Sequence, residues 1–508
     1  MSFLTSPDDA GPSPFSIARC LGVITVLFVV YNLAWAIYNV AFHPLRHFPG
    51  PILNRASKIP WAISHIRGNK PFLIQTMHDT YGPVVRVAPD FLDFTDPKAW
   101  KDIYGHRAGP GAVHAEMPKA RVFYNATGEP NNIVNADAFE HAQIRRSISR
   151  GFSDKALRDQ EPMIVRHIDR LIERLTERCD GGKTAVELEK WYIWATFDII
   201  GDLVFGQDFE SLNSASHSRL FQLVLDTVTA ISFVGALKYL GLGLVVKALT
   251  TLGGANAAYD AVLADIGQRL EKRIASPDER PDLIEGLIRE RDGWKLEFLE
   301  LRSNSMLLAV AGSETTATLL SGATYLLCKN PEKLTKLQHE VRTKFHDSRD
   351  ITLASVNGLE YMLAVIYESL RCYPPVSGGN VRVVPGKTGA HIAGHFVPSG
   401  TLVEINNWSA NFSRDSWTNR WAFCPERFLV KGEAHDNFEA LQPFSIGPRN
   451  CIGQNLAMLE IRLTLARMIF AFDMKLAPGS DDWIERQRAH SIWLKPALPV
   501  YLIPRKTA

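Results

Sequence analysis

Much that would point elsewhere is missing from this chain. Its six cysteines (Cys20, Cys179, Cys328, Cys372, Cys424, Cys451) are spread over 508 residues, and no two form a C-x-x-C pair. That spacing argues against a disulfide framework and fits a reducing compartment. Net charge is only +2 at pH 7, and no basic stripe is interleaved with aromatics, so the usual footprint of a nucleic-acid binder is absent. No flavin or nicotinamide fingerprint appears, which leaves the chain without a dinucleotide-binding unit of its own. There is no internal repeat, and no low-complexity linker follows residue 60. Length alone would suggest about three domains. The unbroken composition argues instead for one large domain over residues 59–508.

One apolar run stands out. Residues 20–42 are almost wholly apolar, with Asn32 and Asn39 the clearest interruptions, enough for one bilayer-spanning helix. Ala34-Trp35-Ala36 mimics a signal-peptidase site, so a cleaved signal is the competing reading. Against it, apolar residues continue to Phe42, and the leading segment carries Asp8 and Asp9 rather than a basic cluster. Arg46, Arg55, Lys58, Arg67 and Lys70 follow the run. The positive-inside rule keeps that flank cytoplasmic and places residues 1–19 across the membrane. Residues 43–58 hold Pro44, Pro49, Gly50 and Pro51, which break the helix and stiffen the chain's exit as a hinge. Asn125, Asn407 and Asn411 each begin a glycosylation sequon. A cytosolic domain predicts that none carries glycan.

The rest reads as mainly α with a small β-sheet region. Helical spacing of apolar residues covers 159–178, 187–205, 259–274, 296–329 and 454–472. Strand-like pieces are few, at 84–87, 91–94, 391–397 and 402–405. Residues 235–254 are conspicuously apolar and read as core by default.

The most telling stretch is Phe444-Ser445-Ile446-Gly447-Pro448-Arg449-Asn450-Cys451-Ile452-Gly453, directly ahead of the last helix. A thiol binds metal as thiolate, so it needs surroundings that stabilise negative charge. A helix N-terminus does so through free N–H groups and its dipole. Gly447 and Gly453 allow close approaches or backbone angles that a side chain would block. Amides can then point at the sulfur, and such bonds tune a ligated iron. Arg449 can reach a carboxylate on the ligand's rim, and Phe444 can pack beside a ring.

A second motif, Ala311-Gly312-Ser313-Glu314-Thr315-Thr316, interrupts the apolar run 306–327. Buried mid-helix polar groups need partners. Threonine often back-bonds one turn earlier and bends its helix. Gly312 removes bulk, so a local swelling there would admit water or dioxygen. A third pattern, Glu368-Ser369-Leu370-Arg371, puts opposite charges on one helical face, and Pro425-Glu426-Arg427-Phe428 follows later.

Together these motifs resemble the cytochrome P-450 family of haem-thiolate monooxygenases, in order from about Pro44 onward. The resemblance implies the cytochrome P-450 fold, with heme b iron held by Cys451. It implies that Glu314 and Thr315 deliver protons to iron-bound dioxygen, and that Glu368, Arg371 and Arg427 form a structural cluster. Leu307, Leu308, Ala311, Val376, Ser377, Gly378 and Gly379 would line the substrate pocket. Residues 105–130 and 490–492 are its other expected walls. Residues 235–254 would lie over the channel, and residues 43–58 would orient the domain on the membrane. Arg449, Arg382 and Arg145 are candidates for the haem propionates. His141 stands where the commoner pattern has Trp, and it can still donate a hydrogen bond there. Electrons would come from NADPH through a separate flavoprotein reductase, with cytochrome b5 as a second donor. Arg146, Arg150 and Lys155 could meet that reductase. The endoplasmic reticulum is the expected membrane. Filamentous-fungal members of secondary metabolism are the nearest in pattern, so a lipophilic polyketide, terpenoid or alkaloid substrate is expected. The rival readings are a detoxifying hydroxylase of small aromatics, a haem-thiolate isomerase or dehydratase, and a non-enzymatic haem protein.

Overall fold

A computed structural model describes residues 14–107, 116–125, 130–215, 219–252, 256–276, 280, 282–288, 294–429 and 435–505. At its centre runs the long helix Phe298–Lys329, opened by a capping box between Glu297 and Glu300. From Ser313 to Leu327 all its side chains except Thr315 are buried, as expected of a helix with neighbours on every side. The helix Leu188–Phe205, also buried almost throughout, packs along it. Thr196 Oγ1 donates to Ser313 O at 3.0 Å, and Tyr192 shares a 2.9 Å hydrogen bond with Thr324. Gly312 lies between these two helices. A Cβ there would sit 2.7 Å from Ile200 Cδ1. The long helix passes through Gly312 unbroken, so the swelling expected from sequence is replaced by close helix contact.

The helix expected at 159–178 begins earlier, as Asp154–Arg178, because the Ser153 hydroxyl caps it through Ala156 N–H. Asn256–Ala275 and Gln454–Ala471 match the remaining periodic stretches. Residues 235–239 close the helix Arg219–Tyr239 and residues 243–252 form the helix Gly243–Leu252, on which Leu244 is 85% exposed, while residues 253–254 lie outside the described residues.

Val84–Ala88 pairs antiparallel with Phe91–Phe94, which lies parallel to Leu402–Glu404, and Arg382–Val383 closes this sheet. The single strand expected at 391–397 is a hairpin, Ala390–Ile392 with His395–Val397. Ala393 and Gly394 turn it with φ of 47° and 80°. A three-stranded sheet of Ala185–Glu187, Pro499–Pro504 and Phe472–Leu476 was not anticipated.

The N-terminal helix Pro14–Ala41 contains a span, Ala18–Ala41, of mean hydropathy 2.2 with none of it buried. Its exit is packed rather than free. Leu45 is fully buried, and Arg86 N–H donates to Pro49 O at 2.7 Å. The Arg86 guanidinium reaches Asn39 O at 2.9 Å and Pro89 O at 2.6 Å, while Arg55 reaches Val40 O and Arg46 O. Residues 43–58 therefore join the helix to the first sheet through named hydrogen bonds.

Candidate active site

The cysteine loop closes on itself. Cys451 N–H donates to Phe444 O at 2.8 Å and Asn450 N–H to Gly447 O at 3.1 Å. Gly447 has a φ of 74°, and a Cβ there would meet Tyr104 O at 2.0 Å, so both conformation and space demand glycine. Gly453 directly precedes Gln454–Ala471, and a Cβ on it would stand 4.0 Å from Cys451 Sγ. Cys451 remains exposed on one side although protein surrounds most of its thiol. That surrounding raises the thiol's pKa, while the Gly453 N–H and the Arg145 charge oppose the rise. Phe444 packs against the main core.

Arg145, on the helix Ala138–Ile148, donates to Asn450 O and Asn450 Oδ1, both at 2.7 Å. His141 lies one turn earlier and is buried. Burial and the nearby Arg449 charge push its pKa down to about 3, so the ring is neutral and keeps one N–H to donate. Arg449 grips Glu116 through Nε and Nη2 at 2.7–3.0 Å and also donates to Ala136 O. Burial raises the Glu116 pKa, but the Arg449 hydrogen bonds and charge outweigh it and leave the carboxyl low. Arg382 is buried over the Tyr104 ring at 5.5 Å. Lys119 donates to Val134 O at 2.5 Å, and burial with the Arg382 and Arg449 charges lowers its pKa strongly. Arg449 Nη1 and Arg382 Nη1 have no hydrogen-bond partner among the described residues. Arg382 and Arg449 thus stand around the Glu116 carboxylate, and buried donors of this kind call for an anion. Sequence reasoning missed Glu116, Lys119 and Tyr104, because nothing in their neighbours along the sequence distinguishes them.

On the long helix, Ala311 is exposed, Thr315 and Leu307 are half-buried, and Thr315 Oγ1 donates to Ala311 O at 2.7 Å. Leu308, expected in the pocket, is buried and packs within the main core. Glu314 is 2% exposed. Its Oε1 is ion-paired with Lys495 and accepts from Thr318 Oγ1 at 3.2 Å, and Lys495 Nζ also reaches Thr318 Oγ1 at 2.9 Å. The lysine lies 181 residues from its partner and carries no local signal.

Val376, Ser377, Gly378 and Gly379 line a cavity of about 200 Å³. Phe123, Gly235 and Ser491 line it too, but Leu307, Leu308 and Ala311 of the long helix do not, and residues 108–115 and 126–129 lie outside the described residues. Trp61, His65 and Lys70, from the N-terminal helices, were not foreseen there. The two glycines differ. Gly378 has open space around it, whereas a Cβ on Gly379 would meet Ile405 O at 2.4 Å.

Glu368 and Arg371 are fully buried and doubly bonded at 2.8 Å. Arg427 stands 3.2 Å from the same carboxylate, which also accepts from Cys424 N–H at 2.8 Å. Arg371 further donates to the carbonyls of Asn411, Arg420 and Ala422 at 2.7–3.0 Å.

A helical domain whose cysteine loop, cationic recess and long polar-notched helix lie as described defines a class, and comparison agrees. Residues 55–503 match the family model described as Cytochrome P-450. The chain belongs to that family and is an oxidoreductase of its monooxygenase type. It is 44% identical to the cytochrome P-450 monooxygenase tpeC of Talaromyces stipitatus, over 97% of this chain and 96% of that one. It is 41% identical to the trichothecene C-15 hydroxylase of Fusarium sporotrichioides, over 94% and 96%. Identity to the averantin hydroxylase of Dothistroma septosporum is 38%, over 94% and 90%. Family membership implies a haem iron on a cysteine thiolate. The residues fit it: a cysteine open on one side, and two buried guanidinium nitrogens free for carboxylates.

Proposed function

We propose that this enzyme inserts one oxygen atom from dioxygen into a lipophilic substrate as a tailoring step of fungal secondary metabolism. The balance is one C–H bond, one dioxygen, two electrons and two protons giving C–OH and water. The observation that carries this reading is Cys451, on its glycine-bracketed loop beside Arg145 and ahead of a helix. Haem, when bound through the Cys451 thiolate, supplies the oxygen-activating chemistry. Arg382, Arg449, Arg145 and His141 would hold its carboxylates, Phe444 would pack beside it, and Gly453 leaves room near the sulfur. Thr315 gives its own hydrogen to Ala311 O, so its oxygen is free to accept one from solvent or Glu314. Leu307, Ala311 and the Val376–Gly379 loop shape the space for substrate. Two of the named relatives are hydroxylases, which favours hydroxylation here.

NADPH is the electron source through a separate flavoprotein, with cytochrome b5 as a second donor. Arg146, Arg150 and Lys155 are exposed and form a face for an acidic partner. The apolar helix anchors the chain in the endoplasmic reticulum with the catalytic domain in the cytosol. Substituting Thr315→Ala should leave haem incorporation intact and divert reducing equivalents to peroxide. Unchanged coupling of NADPH to product would remove the relay. Feeding candidate metabolites to microsomes containing enzyme and reductase, and reading mass gain, tests the reaction and separates it from detoxification of small aromatics.

A further inference from the structure

The cavity of about 200 Å³ has apolar walls at Phe123, Ile231 and Val376, with a few polar side chains set among them. Two of those polar atoms lack partners. Trp61 Nε1 and Ser377 Oγ have no hydrogen-bond partner among the described residues, although Trp61 is 2% and Ser377 1% exposed. A buried donor left unpaired costs free energy, so each calls for a partner that a ligand can supply. Other polar groups of the wall are already engaged. Asn380 Oδ1 accepts from the Tyr124 hydroxyl at 3.4 Å, and Ser232 shares a 3.1 Å hydrogen bond with Ser491.

Lys70 is the one charged side chain among the described residues that line the cavity. It opens the helix Lys70–Tyr81, an end where the helix dipole disfavours a cation and favours an anion. Its Nζ lies 2.7 Å from Glu404 Oε1 and 5.0 Å from the centre of the Trp61 ring, so ammonium and indole share one corner. Glu404 does not line the cavity. It stands behind Gly379, where an added Cβ would lie 2.9 Å from Glu404 Oε2. Burial raises the Glu404 pKa, the Lys70 charge opposes the rise, and Asp93, itself bonded to His78 at 2.8 Å, adds to it. Two neighbouring carboxyls do not both ionise readily, which makes Glu404 a weak counter-ion for Lys70. His65 adds no second cation, because burial and then the Lys70 and His490 charges push its pKa down to about 3.

We propose that Lys70, Trp61 Nε1 and Ser377 Oγ form a subsite for an oxyanion on the substrate, a carboxylate or an ionised phenol carried by an otherwise apolar body. This rests on the reading that the cavity receives the substrate, and it names what that substrate carries. All three groups can donate a hydrogen bond. A pure hydrocarbon leaves them unsatisfied, whereas one oxyanion can accept from each. Lys70 is the residue that sets the preference for charge.

The test is equilibrium dialysis of full-length holoenzyme in detergent against two matched pairs at neutral pH: naphthoic acid with its methyl ester, and nitronaphthol with its methyl ether. Folding of each variant is checked by haem content. Wild type should hold at least one of the two anions about ten-fold more tightly than its neutral partner, as expected for a hydrogen bond to a charged group. Whichever pair shows the preference tells carboxylate from phenol. Lys70→Met should abolish the preference and leave the neutral probe unchanged, and Lys70→Arg should keep it. Trp61→Phe should weaken the anion alone. Glu404→Gln should tighten the anion by freeing the ammonium, whereas a purely structural ion pair predicts that its loss weakens every probe. If wild type holds anion and neutral probe alike, or if Lys70→Met or Trp61→Phe weakens both equally, the subsite is wrong. If no probe binds, the subsite also falls, while the monooxygenase reading stands or falls separately on mass gain in microsomes.

Discussion

Replacing Arg371 with leucine should be among the most damaging single changes in this protein outside the cysteine loop. The guanidinium is fully buried and spends its hydrogens on Glu368 twice and on the carbonyls of Asn411, Arg420 and Ala422. Without it, Glu368 keeps Arg427 at 3.2 Å and the Cys424 N–H at 2.8 Å. The three carbonyls lose a donor in a place water does not reach easily. Stranding one partner of a buried ion pair costs roughly 3–5 kcal/mol. Against a typical total of about 5–15 kcal/mol, that brings the fold near its threshold. The surface pair Arg486–Asp482, at 2.9 Å with both side chains well exposed, is the control. Its loss should stay below about 1 kcal/mol. Urea unfolding followed by tryptophan fluorescence, with haem content measured in parallel, reads both variants. The double variant Glu368→Leu with Arg371→Leu should lose less than Arg371→Leu with any further independent loss added, since no charge is then left alone. Should Arg371→Leu unfold within about 1 kcal/mol of wild type, the claim that this buried cluster holds the fold together is wrong.

Gly447→Ala should lower haem retention sharply, read as bound haem per protein, because its Cβ would lie 2.0 Å from Tyr104 O at a φ of 74°. Gly312→Ala should destabilise the core by about 1–3 kcal/mol through overlap with Ile200, and Ile200→Ala should partly rescue it in urea titrations. Glu189 titrates at about 7 when folded against an ordinary 4.5, so it disfavours the folded state once charged. Its stability contribution is full below pH 4.5 and is lost as pH rises through 7, to about 3 kcal/mol, and Glu189→Gln should abolish that slope. Mass spectrometry should find no glycan at Asn411, whose amide is buried and donates to Leu370 O and Arg371 O at 3.1–3.2 Å.

Local patterns carried most of the helical framework. Periodicity located Leu188–Phe205 and Gln454–Ala471 to within a residue or so, because a buried helix needs an apolar face at fixed spacing. The C-terminal sheet was not legible, since Phe472–Leu476 continues directly from a helix and is paired by a strand near the chain's end. The site divides in the same way. Cys451, Glu314 and Glu368 announce themselves by their neighbours in sequence. Glu116 and Lys495 do not, because they matter only through ion pairs to Arg449 and Glu314 that folding brings together. Gly312 was read as making space, when it is needed for the close approach of a neighbour, Ile200.

The grip of Arg86 and Arg55 on Asn39 O and Val40 O makes the N-terminal helix a mast rather than a leash. As a membrane span, the 24 residues of Ala18–Ala41 would rise about 36 Å, more than the ~30 Å of a bilayer's oily layer, and the mast would fit by leaning. A leaning mast stepped firmly into the hull tips the whole vessel. Membrane thickness would then set the tilt of the whole domain that the helix carries.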